Sequence, residues 1–188
     1  MNLSNKETQK ITFLKANNQF KNIVLQWFKK PHVNEFYYGD RLKSALRNFD
    51  LFCNGINHNG RYSFEHWLAF YNNQPFGLLM TSPITGPYDQ NDPYNKWYQK
   101  NKKIFTLDLL IGNEDFLGKN LSVKMIQALI LQHYKEADYF LIDPAKENKK
   151  AIYVYQKAGF EILEEFIPEF DPILHIMMRL EVKHLLQF

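Results

Sequence analysis

The sequence predicts a mixed α/β protein, and three observations predict it. From Ile104 to Phe160 the chain reads strand, polar turn, helix, strand, turn, helix. Upstream, two extended runs, Ser63 to Tyr71 and Gln74 to Thr81, meet at Asn72-Asn73, a dipeptide suited to a tight antiparallel turn. Downstream, Phe160 to Ile167 and Ile173 to Glu181 read as two closing strands joined across Pro168 and Pro172.

The remaining elements follow in chain order. Lys10 to Ala16 is a first strand with Ile11, Phe13 and Leu14 as its apolar members. The helix after it carries Phe20, Ile23, Val24, Trp27 and Phe28 at three- and four-residue spacing, and Pro31 ends it because the residue before proline is driven out of the helical region. A loop from Pro31 to Gly39 then delivers His32, Glu35, Phe36, Tyr37 and Tyr38 in quick succession. Asp40 to Phe52 reads as a second helix and Cys53 to Gly60 as turn. Ser82 to Lys103 is a long connection holding Pro83, Gly86, Pro87 and Pro93 without a sustained period, and its aromatics Tyr88, Tyr94, Trp97 and Tyr98 argue against disorder.

In the core stretch, the strand Ile104 to Ile111 turns Phe105, Leu107, Leu109 and Ile111 to one face and Thr106, Asp108 and Leu110 to the other. The helix from about Asn120 to Tyr134 stacks Leu121, Met125 and Leu129 at four-residue intervals. Tyr139 to Ile142 is a short strand closed by Asp143-Pro144. In the last core helix Ala151, Val154, Tyr155 and Ala158 share a face, and Gly159 is placed for a left-handed cap.

Composition narrows the function classes. A chain of 188 residues, 45% hydrophobic and 23% charged, suits one globular domain over residues 1–188 with a continuous core. The net charge of +3 comes from dispersed lysines, 19 Lys against 4 Arg, which read as solvated surface and not as a nucleic-acid face. One cysteine, Cys53, excludes an intrachain disulfide and zinc-ligand spacing, so no metal is expected. The segment MNLSNKETQK lacks the apolar core of a signal peptide, and no window approaches the ~20 apolar residues of a membrane span. The expectation is a cytoplasmic protein that meets neither membrane nor nucleic acid, as a monomer or homodimer. Aromatic content, 16%, is high; rings such as Tyr37, Tyr38, Tyr88, Tyr94 and Trp97 either line a cleft or fill an aromatic-rich core.

The turn Gly118-Lys119-Asn120-Leu121-Ser122 opens a helix, so unpaired backbone N–H groups and the positive end of a helix dipole face any anion lying over it. A phosphate-bearing cofactor suits that place.

Three pieces of the chain, LDLLIG ending at Gly112, LGKNLSVKMIQALI from Leu117, and IDPAKENKKAIYVYQKAGF from Ile142, resemble the core of the GNAT N-acetyltransferases. Within that family they are most similar to the branch of aminoglycoside 6′-N-acetyltransferases and siderophore N-acyltransferases. A weaker similarity lies in WFKKPHVNEFYYG, where that branch has a tryptophan, a histidine and paired aromatics. The resemblance implies a mixed, mostly antiparallel central sheet of six to seven strands flanked by about four helices. It also implies acetyl-CoA as acyl donor and direct attack by a primary amine in a ternary complex.

Roles follow from the same resemblance. Asp108 would take the proton of the attacking amine, and Tyr155 would protonate the leaving thiolate. Read from the residues alone, Asp108 could instead pair a neighbouring Lys or Arg, and Tyr155 could be a packed core residue. Leu109, Leu110 and Ile111 would offer free backbone groups to the pantetheine arm, and Leu117, Gly118, Lys119, Asn120, Ser122 and Val123 would hold the diphosphate. Here the chain departs from the family pattern Arg/Gln-x-x-Gly-x-Gly/Ala by Leu117, Asn120 and Ser122; asparagine is the best replacement for glycine because it tolerates left-handed angles. Asn148 would cap the last core helix or, with Ala151, contact the pantetheine arm. His32, Glu35, Phe36, Tyr37, Asp89, Asp92, Trp97 and Asp143 would face the acceptor, where carboxylates and rings together suit a polycationic amine; the alternatives are solvated loops and, at Asp143, a plain Asp-Pro turn. An aminoglycoside acceptor, a hydroxylysine-type amine of a siderophore pathway, and a CoA-binding module without turnover all fit these motifs.

Overall fold

In the computed structural model, which describes residues 11–88, 93–168 and 172–187, the elements occur in the predicted order. They are β1 (Ile11–Lys15), α1 (Lys21–Phe28), α2 (Pro31–Asn34), α3 (Gly39–Cys53), a small hairpin of β2 (His58–Asn59) and β3 (Tyr62–Ser63), β4 (Glu65–Tyr71), β5 (Gln74–Pro83), β6 (Ile104–Ile111), α4 (Leu121–His133), β7 (Tyr139–Ile142), α5 (Lys149–Ala158), β8 (Glu161–Phe166), β9 (His175–Glu181) and α6 (Val182–Leu185). Seven strands form one sheet in the order β1-β4-β5-β6-β7-β9-β8. The described ladders are antiparallel except β6 with β7, which run parallel.

Two short helices join the four expected ones, and the small β2–β3 hairpin starts inside the stretch read as turn. Pro31 does end α1, but the segment beyond it is not simply a loop: proline sits at the start of α2, where its missing N–H costs nothing and its fixed φ favours the first turn. The turn at Asn72-Asn73 has both residues at positive φ, +49° and +63°, as a tight hairpin requires. Among the described residues every non-glycine residue at positive φ is an asparagine, the others being Asn101 and Asn120.

By their internal contacts the residues fall into two compact units, Leu3–Ser82 with Asp108–Leu121, and Pro83–Leu107 with Ser122–Phe188. The first unit has a core of Val24, Trp27 and Phe28 from α1, Val33, Tyr37, Phe49 and Cys53, with Leu68, Phe70, Leu78 and Leu110 from the sheet. Tyr37 is therefore one of the rings that fill a core; it meets Phe28 edge-on at 5.4 Å. The Cys53 thiol at the end of α3 is buried, and burial pushes its pKa up. At the end of β6 the amides of Gly112 and Asn113 donate to the Phe76 carbonyl. Gly112 lies so close to the Trp27 indole that a Cβ there would stand 2.0 Å from a ring carbon.

The second unit holds a cluster of Ile84, Ile104, Tyr139, Leu141 and Met177, against which Tyr88, Trp97, Tyr98 and Phe166 pack. The aromatics of the long connection thus serve largely as packing. Phe105 stacks on Phe140 at 5.5 Å, and Tyr134 meets both edge-on. Asp138 ties the start of β6 down, accepting from the Lys103 amide and the Lys102 ammonium at 2.8 Å each, which holds its carboxyl below the usual range.

Two sequence-based patterns shift. In β6 the buried residues are Ile104, Leu107, Leu110 and Ile111, not one alternating set. A strand lying inside a sheet and apolar on both faces has no single wet side for alternation to mark. In α5 the buried positions are Ile152, Tyr155 and Ala158, so the stripe runs through Ile152 where Val154 is expected. α4 is buried at Leu121, Val123, Met125, Ile126, Ala128, Leu129 and Ile130, broader than one stripe.

Candidate active site

The turn before α4 has the backbone that its glycine-poor sequence leaves in question. Gly118 sits at φ +71° and Asn120 at +56°, so asparagine does occupy the left-handed position. Among the described residues nothing lies within 4 Å of a Cβ built on Gly118, so only its backbone angle calls for glycine. Leu117, Gly118, Lys119 and Asn120 are exposed, and the helix begins immediately after them at Leu121. Its first amide groups lack intrahelical acceptors, and the Lys119 ammonium stands over the Phe116 ring at 5.5 Å. A diphosphate group fits such a turn: open backbone, a helix N-terminus thirteen residues long, and one cation beside it.

Along β6, Asp108 is half-buried and accepts the Leu109 amide on its own carboxylate at 2.9 Å. His32, held by α2, donates from Nε2 to the Ile111 carbonyl at 2.9 Å. Two of the backbone groups expected to be free along Leu109–Ile111 are thus engaged within the protein. The other side of His32 faces Glu114, with Nδ1 3.6 Å from Oε1, while Lys30 bonds the same carboxylate at 3.0 Å. The Lys30 ammonium, with His32 adding, holds the Glu114 carboxyl below its usual range. His32 therefore anchors the end of the strand that carries Asp108. Glu35 is exposed, and Phe36 is half-buried.

In the second unit, Asn148 is a helix cap: its Oδ1 accepts the Ala151 amide at 3.0 Å. Gly159 closes the same helix at φ +108°. Tyr155 is buried, its ring 5.9 Å from Phe160. Ser122 is half-buried and Val123 buried in the first turn of α4. Asp143 keeps its side chain 31% exposed while its carbonyl and carboxylate both face Nδ1 of a fully buried residue, His175. Trp97 packs against the unit's core with Lys96 over its ring at 5.1 Å. Asp89 and Asp92 lie outside the described residues.

Sequence reasoning did not single out His175, Glu114 or the Gly112–Trp27 contact. His175 stands 32 residues from Asp143, and nothing in the intervening chain pairs them. Its one signal is a polar side chain directly before the apolar run Ile176-Met177-Met178. Among the described residues no group of three or more His, Cys, Asp or Glu side chains is placed to hold a metal ion. No helix among them is long and apolar enough to cross a membrane.

Comparison with known proteins brings these features together. The sequence profile of the acetyltransferase (GNAT) domain matches residues 21–167. A solved aminoglycoside N(6′)-acetyltransferase from Legionella pneumophila is 34% identical, superimposes with a TM-score of 0.80, and 95% of each chain is covered. The type 1 aminoglycoside N(6′)-acetyltransferase of Klebsiella pneumoniae is 24% identical over 144 residues, 74% of this chain and 68% of that protein. An aminoglycoside acetyltransferase solved with coenzyme A and kanamycin shares the fold at 20% identity and a TM-score of 0.71, over 94% of this chain and 97% of the other.

Proposed function

Since the chain belongs to the acetyltransferase (GNAT) family, we propose that it transfers an acetyl group from acetyl-CoA to a primary amine of an aminoglycoside, by direct attack in a ternary complex. The observation that carries the donor half is the turn at Gly118–Asn120, whose left-handed backbone and exposed helix start suit a diphosphate in spite of the missing glycines. The acceptor class follows the Legionella and Klebsiella relatives.

Bound acetyl-CoA would supply an activated thioester carbonyl. The chain's own residues would do the rest. Leu117, Gly118, Lys119, Asn120, Ser122 and Val123 hold the diphosphate through backbone amides and one ammonium. Leu109 and Leu110, with Asn148 and Ala151, meet the pantetheine arm. The Ile111 carbonyl is already given to His32, so Ile111 contributes through the position of its strand. An ammonium cannot act as nucleophile until it loses a proton, and the Asp108 carboxylate holds the cation and accepts that proton. Tyr155 returns a proton to the departing thiolate. Asp143, Glu35 and Phe36 would face the acceptor, whereas Trp97 is taken up by packing.

The test is acetyl transfer to a panel of aminoglycosides and simple diamines, with binding followed by thermal shift. A ligand at ~100 times its dissociation constant raises stability by about 2.7 kcal/mol, so acetyl-CoA binding is readable independently of turnover. Asp108→Asn is expected to lower kcat by roughly 10²–10⁴-fold, with acetyl-CoA binding retained. Tyr155→Phe is expected to lower kcat by a smaller factor. If the wild type binds acetyl-CoA and acetylates no amine in the panel, the transferase reading fails.

A further inference from the structure

We propose that His175 is a positioning residue for the acceptor: it locks the Asp143 carboxylate in the orientation that receives an acceptor ammonium. The proposal rests on the acceptor-binding reading of Asp143 given above.

The geometry is that of a side chain clamped from below. Asp143 is partly open to solvent, its side chain 31% exposed, whereas the His175 ring is 0% exposed. Nδ1 of His175 faces the Asp143 carbonyl oxygen at 2.7 Å and Oδ2 of the same residue at 3.2 Å. Both are acceptors, so Nδ1 carries the proton and donates to the two together. One buried donor thus fixes the backbone and the side chain of a single acid.

The surrounding backbone makes the clamp rigid. The Ile176 amide donates to the Pro144 carbonyl at 3.0 Å, and the Lys146 amide donates to the Leu174 carbonyl at 2.8 Å. Ala145 pairs with His175 as an antiparallel bridge. Pro144 restricts the Asp143 backbone from the other side. The Phe166 ring meets the imidazole at 6.0 Å and 62°, so the ring has packing on its flank as well as a bond at its tip.

An exposed carboxylate samples several rotamers and must lose that freedom when it binds a cation. Here the freedom is removed during folding, so the site meets the ammonium ready-made. The 2.7 Å bond to the Asp143 carbonyl would by itself satisfy the buried ring; the second contact, to Oδ2 at 3.2 Å, is the one that reaches an acid partly open to solvent.

Steady-state kinetics with an aminoglycoside acceptor tests this, using His175→Leu, His175→Asn and Asp143→Asn in the full chain. Asparagine carries an amide donor at about the distance of Nδ1, and leucine carries none. His175→Leu is expected to raise the acceptor KM about tenfold, with kcat and the acetyl-CoA KM changed by less than about twofold. His175→Asn should bring most of that loss back. The double variant His175→Leu with Asp143→Asn should be no worse than Asp143→Asn alone. If Asp143→Asn raises the acceptor KM and His175→Leu does not, the positioning role is overturned while the Asp143 reading stands. If Asp143→Asn changes nothing, that reading fails and the proposal with it. Should the leucine variant not fold, as judged by its thermal shift with acetyl-CoA, His175→Gln replaces it. Gln projects its amide to about the place of Nε2. Equal acceptor KM values for the Asn and Gln variants would then overturn the proposal.

Discussion

Two histidines are buried, His66 in the first unit at 2% exposure and His175 in the second at 0%, and their surroundings are opposite in kind. His66 is ringed by Phe49, Phe52 and Phe64 at 5.3–5.7 Å, and its Nδ1 has no hydrogen-bond partner among the described residues. His175 gives its Nδ1 proton to an acid that reaches solvent. The contrast separates burial from use. A histidine among phenylalanines is a ring of suitable shape kept neutral by its surroundings, whereas a histidine bonded to a half-exposed carboxylate transmits order to the surface. Around His66 and Trp27 the structure is held by shape, and around Asp143, Asn148 and Asp138 it is held by directed hydrogen bonds.

The largest effect that would sharpen this contrast is acid sensitivity at His66. Burial lowers its pKa from 6.5 to about 4. Well above pH 6.5 the ring is neutral in both folded and unfolded chains and contributes no pH dependence. As the pH falls through 6.5 toward about 4, the unfolded chain takes up a proton that the folded one refuses, so stability declines across that window. At 1.36 kcal/mol for each unit the total is about 3 kcal/mol. Urea denaturation at pH 7.5 and at pH 4.5 should show the loss, and His66→Leu should remove most of it while leaving the acceptor KM unchanged. Carboxylates that the fold holds low, such as Asp138, lose their contribution only nearer their own range, so the difference between parent and variant isolates His66.

Next in size is Gly112→Ala, which tests whether the first unit depends on shape. The added methyl would overlap the Trp27 ring, itself 4% exposed, and either the indole or the strand end must move. The expected loss is roughly 1–3 kcal/mol, read by denaturant midpoint. A neutral result would mean that the contact is slack and that shape around Trp27 is not limiting. The smallest effect is Asn148→Ala, which removes one cap bond in the second unit at a cost of about 1 kcal/mol. Asn148→Asp should restore it, because either side chain offers an oxygen to the Ala151 amide.

Much of this arrangement can be read from the chain, for physical reasons that differ by element. α4 and α5 are legible because each has an apolar period and an end signal, an asparagine before α4 and Asn148 and Gly159 bracketing α5. The left-handed state of Asn120 is legible because asparagine stands where the family pattern has glycine; residue type alone does not decide it, since Asn113 and Asn148 have negative φ. The short helix α2 is not legible, because four residues carry no period and proline reads equally as a stop and as a start. The burial of Tyr37 and the packing of Trp97 and Tyr88 are hidden for a related reason: a ring in an aperiodic segment shows nothing of which way it turns. Candidate residues are found where a motif is contiguous, as at LDLLIG and LGKN. They are missed where the partner is distant in sequence, as with His175 and Asp143 or Trp27 and Gly112. Only the folded chain brings such pairs into contact.

The buried Cys53 has a practical consequence for every kinetic measurement above. Acetyl transfer liberates a free thiol on the spent donor, and disulfide dyes report that thiol by colour. A cysteine that is shielded and hard to ionise reacts slowly with such dyes. Colour formed during turnover would then count product molecules, with little background from the folded enzyme, and a sudden protein-derived signal would mark unfolding.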